Sequence, residues 1–137
     1  GELKFQGAFG PRGDSLDVIL PCQLDLRGEA AADVLVRALS ATAGAMGATW
    51  GCVWSQAGPL PDPPSLEGGL PTAVHWANWL SPALSARLGP RAAGVASGEA
   101  GASFDGRLLR LGRRLLDTYD PADEALRLRA QAALLGR

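Results

Sequence analysis

The chain has 137 residues, 47% hydrophobic and 20% charged, enough for a single domain to bury a core without disulfide staples. Thirteen basic side chains against 14 acidic ones leave a net charge of −1, with a pI near 5.8, so no positive field points to nucleic acid or an anionic membrane. Mean hydropathy is +0.05 and no apolar run approaches the ~18 residues of a spanning helix. The opening Gly1-Glu2-Leu3-Lys4 shows no basic region leading into an apolar one, so a cytoplasmic protein is expected.

Leu3 to Phe9 and Ser15 to Leu20 read as two strands joined by a turn at Gly10-Pro11-Arg12-Gly13-Asp14. Pro21 ends the second, having no N–H to offer a ladder. From Glu29 to about Ala43 the period becomes helical, with Ala31, Val34, Leu35, Ala38 and Leu39 on one face and Gly44 or Gly47 as left-handed stops. Thr49 to Ser55 reads as a strand with Trp50, Cys52 and Trp54 on one side.

Ser55 to Thr72 carries Pro59, Pro61, Pro63, Pro64 and Pro71, too long and too rich in Pro to be a plain connector. Ala73 to Leu80 resumes as a strand, with Val74, Trp76, Asn78 and Leu80 facing one way and His75, Ala77 and Trp79 the other. Ser81-Pro82 suits the start of a short helix to Leu88, stopped by Gly89-Pro90. Ala92 to Ala96 suggests a weak strand, and Arg107 to Leu111 a better one that Leu115-Leu116 either extends or follows after the Gly112 interruption. Asp120-Pro121 opens a last helix, with Asp123 and Glu124 at its positive end and Ala122, Leu126, Ala130, Ala133 and Leu134 as its apolar side. The order predicts one α+β domain over residues 1–137, a mainly antiparallel sheet with about three helices packed on it.

Material for chemistry is scarce. His75 is the only imidazole, and in an aromatic strand it reads first as a structural side chain. Cys22 and Cys52 lie on different elements without Cys-x-x-Cys spacing, so with His75 they do not make a four-ligand zinc site. No metal, cofactor or catalytic residue is therefore expected, and Gly44-Ala45-Met46-Gly47 lacks the Lys and Ser/Thr of a phosphate loop. The twelve Arg residues, scattered from Arg12 to Arg137, read as mostly solvated charges. All four Trp residues fall between positions 50 and 79, beside the Pro-rich stretch. Trp50 and Trp76 suit the core, whereas Trp54 and Trp79 suit a core or an interface equally.

Several landmarks form a recognisable series: Ala48-Thr49-Trp50-Gly51, the Pro-rich stretch, Ala73-Val74-His75-Trp76-Ala77-Asn78-Trp79-Leu80-Ser81, and Leu115-Leu116-Asp117-Thr118-Tyr119-Asp120-Pro121-Ala122-Asp123. Together they resemble the immunity protein 52 family of bacterial polymorphic toxin systems. The chain departs from that pattern at His75, where the family usually has Gly, and at Asn78-Trp79. A type VI secretion immunity family has a similar Trp-x-Asn-x-Leu strand. The resemblance implies a non-catalytic protein that binds and neutralises a cognate toxin, often a nuclease, by covering its active site or substrate path. The expected contact surface is the loop from Gln56 to Thr72 with Trp54, Asp62, Glu67 and Trp79, aromatic at its centre and acidic at its rim. Two other readings stay open: a generic interaction domain, and a small hydrolase using His75 with Cys52 or a carboxylate.

Overall fold

The computed structural model describes residues 3–9, 14–20, 28–55, 65–117 and 119–136, with backbone alone for 3–9, 14–20, Trp54 and Ser55. The turn at Gly10–Gly13, Cys22 and the first part of the Pro-rich stretch, including Asp62, lie outside the described residues. Strands β1 (Leu3–Phe9) and β2 (Asp14–Leu20) pair antiparallel, and β1 pairs on its other side with β3 (Trp50–Ser55). The sheet continues through β6 (Ala77–Leu80) and β8 (Leu108–Arg110) to β7 (Ser103–Phe104), giving the order β2-β1-β3-β6-β8-β7, antiparallel throughout. A separate hairpin joins β4 (Leu66–Glu67) to β5 (Leu70–Pro71). Three helices, α1 (Glu29–Met46), α2 (Pro82–Gly98) and α3 (Pro121–Leu135), complete the α+β domain.

The central strands β3 and β6 are covered on both sides, residues 50–53 and 77–80 all being buried. Residues opposite one another across an antiparallel ladder share a face. Trp50, Cys52, Asn78, Leu80, Leu109 and Phe104 therefore form one face, and Val53, Ala77, Trp79, Leu108 and Arg110 the other. On the second face Arg110 reaches Asp33 of α1 at 2.7 Å. On the first, Phe104 lies so close to Gly89 of α2 that an added Cβ would meet its ring at 4.0 Å. Two-sided cover explains why every residue of β6 is buried instead of alternating.

The helices form for local reasons, and tertiary packing sets their rotation. In α1 the buried stripe is Ala32, Leu35, Leu39 and Ala43, one position round from the expected face, and Val34 is 55% exposed. An Ala-rich helix has apolar residues on several faces, so its period leaves the phase open. Gly47 at φ 62° is the stop, and Gly44 remains helical. In α3 the buried stripe is Asp123, Arg127, Ala130 and Leu134, while Ala122 and Ala133 are exposed and Leu126 half-buried. This corrects both the expected apolar side of that helix and the reading of Arg127 as a solvated charge.

The largest departure from the sequence reading is α2. Gly89-Pro90 does not end it, and residues 92–96 are helical, not a strand. Its start is as expected: Pro82 takes the first turn and the Ser81 hydroxyl accepts from the Leu84 N–H at 3.1 Å. Leu84, Leu88, Ala92 and Val95 then make one buried stripe that runs past Pro90. Burying those four against the sheet outweighs the ~3 kcal/mol that Pro costs inside a helix. The Pro-rich stretch also holds structure, since Gly68 and Gly69, at φ 60° and 78°, turn the β4–β5 hairpin. Leu115 and Leu116 are half-buried against the core without forming a strand.

Because Pro90 is exposed and interrupts a continuous helix, Pro90→Ala should raise stability by about 1–3 kcal/mol in urea unfolding. A neutral or negative effect would show that α2 ends before it.

Candidate functional site

Of the residues expected at a contact surface, Glu67 and Trp79 have described side chains. Glu67 is exposed, one residue before the Gly68-Gly69 turn. Trp54 stands opposite Lys4 in the β1–β3 ladder; its side chain, like Asp62, lies outside the described residues. Trp79 belongs to the core: it is 5% exposed, and the Arg107 guanidinium lies 4.9 Å from its ring centroid. Arg107 Nε also donates to the Leu80 carbonyl at 2.8 Å. The reason is the cover that α1 gives to this face of the sheet, which turns a strand-end Trp inward. Trp50 and Trp76 are buried as expected, at 1% and 4% exposed.

The polar groups that the fold does gather surround His75. Asn78, buried in β6, accepts from the His75 N–H at 3.1 Å and donates to the His75 carbonyl at 2.7 Å. One side-chain amide thus takes the place of a strand partner for residue 75. The ladder ends at Ala77, and residues 74–76 bend away from it. The expected faces consequently reverse there. The His75 ring lies beside Trp50, centroids 6.2 Å apart, and Trp76 lies under the Arg110 guanidinium at 5.3 Å. Trp76 Nε1 donates to the Gly112 carbonyl at 2.9 Å, whereas Trp50 Nε1 has no hydrogen-bond partner among the described residues.

Helix α3 closes this region with charge. Arg127 Nε and Nη2 donate to the two Glu124 oxygens at 2.9 and 2.6 Å. Its Nη1 donates to the Val74 carbonyl at 3.0 Å and to Gln131 Oε1 at 3.1 Å, and Gln131 Oε1 also accepts from the Val74 N–H at 3.2 Å. A second tie lies at the start of α3, where Asp123 takes Arg114 in a two-pronged pair at 2.8 and 3.0 Å and the Asp117 N–H at 2.8 Å. Burial works against the Asp123 charge, but these three donors outweigh it and hold the carboxyl below its ordinary range. Helix capping falls to Asp120, as the sequence predicts, its carboxylate accepting from the Ala122 N–H at 2.9 Å.

Chemically this is a sealed centre. His75 is 2% exposed, and burial, with the nearby Arg127 charge, pushes its pKa down to about 3. A general base must reach a substrate proton, and this imidazole meets only protein. Cys52, opposite Asn78 in the ladder, is buried as well. Among the described residues no group of His, Cys, Asp and Glu could hold a metal ion, and no helix is long and apolar enough to cross a membrane.

Sequence reasoning missed Arg127, Gln131 and the role of Asn78. The spacing Glu124, Arg127, Gln131 puts three polar side chains on one side of a helix, and that was the available signal. A polar groove of about 560 Å³ between the start of α1 and β7 is lined by Glu29, Asp33, Ser103, Arg110 and Arg113. Arg110 there is already committed to Asp33 and to the Gly112 and Arg113 carbonyls.

Compared with protein-family models, with curated proteins and with solved structures, the chain matches none. Its likeness to an immunity family therefore rests on the short motifs alone.

Two outcomes follow from the sealed centre. The single imidazole should stay neutral from pH 8 to 4 in a carbon-detected NMR titration, and a midpoint near 6.5 would mean that His75 is open to water. Trp50→Ala should cost about 3–5 kcal/mol in chemical unfolding, the usual scale for an emptied aromatic site, and tolerance of that change would contradict its burial.

Proposed function

We propose that this chain is an immunity-type inhibitor: it binds a cognate secreted bacterial toxin, a nuclease being the best candidate class, and neutralises it by covering the active site. The observation that carries the choice is the burial of the only imidazole. It leaves the alternative hydrolase reading without an accessible imidazole, and this supports a role in surface recognition. The sequence landmarks around Trp50, Trp76 and Asp120-Pro121 supply the family, and the toxin and its chemistry come to this chain through that likeness alone.

The contact surface in this reading is the segment from Gln56 to the Gly68-Gly69 hairpin, with Trp54 as an apolar anchor and Asp62 and Glu67 as its acidic rim. The two carboxylates and the absence of a basic residue from 56 to 72 suit a cleft built to hold phosphate. Trp79 has no part in it. Binding occurs in the cytosol, where an incoming toxin would act, and requires no cofactor.

The test is co-purification of this chain with the product of a neighbouring secreted-toxin gene. The parent should hold the toxin and abolish its activity. Trp54→Ala or Glu67→Arg, each folded, should weaken binding at least about tenfold, equivalent to ~1.4 kcal/mol. Parent-like affinity in Trp54→Ala, Asp62→Arg and Glu67→Arg together would place the interface elsewhere. Failure of any such toxin to bind favours the generic interaction domain.

A further inference from the structure

The main sheet ends on one side in β2, which among the described residues pairs with β1 alone. Helix α1 packs mainly on β3 and β6, and α2 on β7, β6 and β8, while the principal contacts of β1 and β2 are with each other and of β1 with β3. An outermost strand leaves alternate backbone N–H and C=O groups pointing away from its neighbour, free to pair with a further strand. Here that edge is seven residues long, Asp14 to Leu20, and its ladder with β1 runs without a bulge. It holds no Pro and no Lys, two other devices that usually blunt an edge.

We propose that β2 is the contact by which two copies of this chain associate, edge to edge and antiparallel about a two-fold axis at Val18, so that two sheets become one. The register follows by elimination. Phe5 stands opposite both Val18 and Val53, and Leu3 opposite Leu20, so Leu16, Val18 and Leu20 share an apolar face with them. Ser15, Asp17 and Ile19 share the other face with Ala8, Gln6 and Lys4. A slip of one residue sets the apolar row of one copy beside Ser15, Asp17 and Ile19 of the other and reverses the faces. Registers that keep the faces aligned put one residue on the axis. Asp17 there opposes two carboxylates directly, and Ile19 brings Pro21, which has no N–H, into the ladder. Leu16 there sets Asp14 against Val18 in the apolar row, and axes nearer either end pair fewer residues. With Val18 on the axis, Leu16 meets Leu20 of the second copy, Val18 meets Val18, and Asp17 meets Ile19. Ala77, Val53, Phe5 and Val18 then continue into the same four residues of the copy as one row across the joined sheet.

Charge favours a second copy over a foreign strand. β2 by itself carries Asp14 and Asp17 and no basic residue, so a foreign strand would have to bring cations to match them. In the self-paired register Asp14 lies beyond the paired span. Each Asp17 shares its face with Lys4, the residue of β1 opposite Ile19, so the contact holds one charge of each sign per chain. Such a contact is isologous and closes at two copies, because each copy uses its own β2. The opposite edge of the sheet, β7, has only two residues to offer. This pairing goes beyond the toxin-binding reading and does not depend on it.

Sedimentation equilibrium of the whole chain alone, between about 1 and 100 μM, should show a species of twice the 14.2 kDa chain mass. Val18→Glu sets two carboxylates opposite each other at the axis and should weaken association at least about tenfold. Cysteine variants in a Cys22→Ser background read the register directly, whether or not the Glu variant folds. Val18→Cys brings like residues to about 4.5–5.5 Å between Cβ atoms and should form an inter-chain disulfide on mild oxidation. Ser15→Cys, roughly 20 Å along the strand from its counterpart, should stay unlinked. A chain that is monomeric across the whole range overturns the proposal. So does a folded Val18→Glu variant that associates as the parent does, or a Val18→Cys variant that links no faster than Ser15→Cys; either result assigns the contact to another surface.

Discussion

The two hydrogen bonds between the Asn78 amide and the backbone of His75 govern the middle of this structure. A strand that continued from Ala77 back to Ala73 would turn the His75 ring toward α1 and Trp76 toward α2. With the Asn78 side chain in place of a neighbouring strand, the chain leaves the ladder one residue earlier. His75 turns to Trp50, Trp76 turns to Arg110, and both backbone groups of Val74 become available to Arg127 and Gln131. The ladder side is not lost altogether, since the Leu111 N–H still donates to the Trp76 carbonyl at 2.8 Å. A buried amide with a complete set of partners specifies one conformation, because a wrong partner would leave polar atoms without water or a hydrogen bond.

The same logic explains how α3 tolerates charge in its buried stripe. Taking a guanidinium out of water costs several kcal/mol unless its donors are met. Arg127 meets that condition: Nε and Nη2 share Glu124, and Nη1 divides between Val74 and Gln131. Asp123 does so at the other end of the stripe, through Arg114 and the Asp117 N–H. These ties orient the helix more than they stabilise it, since an apolar stripe of the same shape would hold at least as well.

In the proposed reading, recognition belongs to the outside of the domain. The aromatic and imidazole groups that normally suggest a site are used in the interior: Trp50 and His75 against each other, Trp76 under Arg110, Trp79 under Arg107. An arginine guanidinium lies over each of the Trp76 and Trp79 indoles. Among the described residues, that reading draws on the β4–β5 hairpin and the exposed Glu67 beside its turn.

How much of this was legible in the sequence depended on the range of the forces involved. The strands at 3–9 and 50–55, the helix starting at Glu29, the Ser81-Pro82 and Asp120-Pro121 helix entries, and the α+β class all come from local chemistry: side-chain period, capping oxygens, and proline's fixed φ. The continuation of α2 through Gly89-Pro90, the burial of Arg127 and Trp79, and the bend at His75 were not legible in that way. Each depends on a partner far along the chain: the sheet that receives Leu88 and Ala92, the Val74 carbonyl that takes Arg127, the helix that covers Trp79. Local propensities amount to about 1–3 kcal/mol at a position, and a buried stripe or a completed polar network outweighs them. The sequence by itself therefore determined most of the long elements and where they begin, but not the full length of α2, the β4–β5 hairpin or β7. Only the tertiary structure decided which face of each turned inward, because that choice is made by surfaces that meet after the chain has folded back on itself.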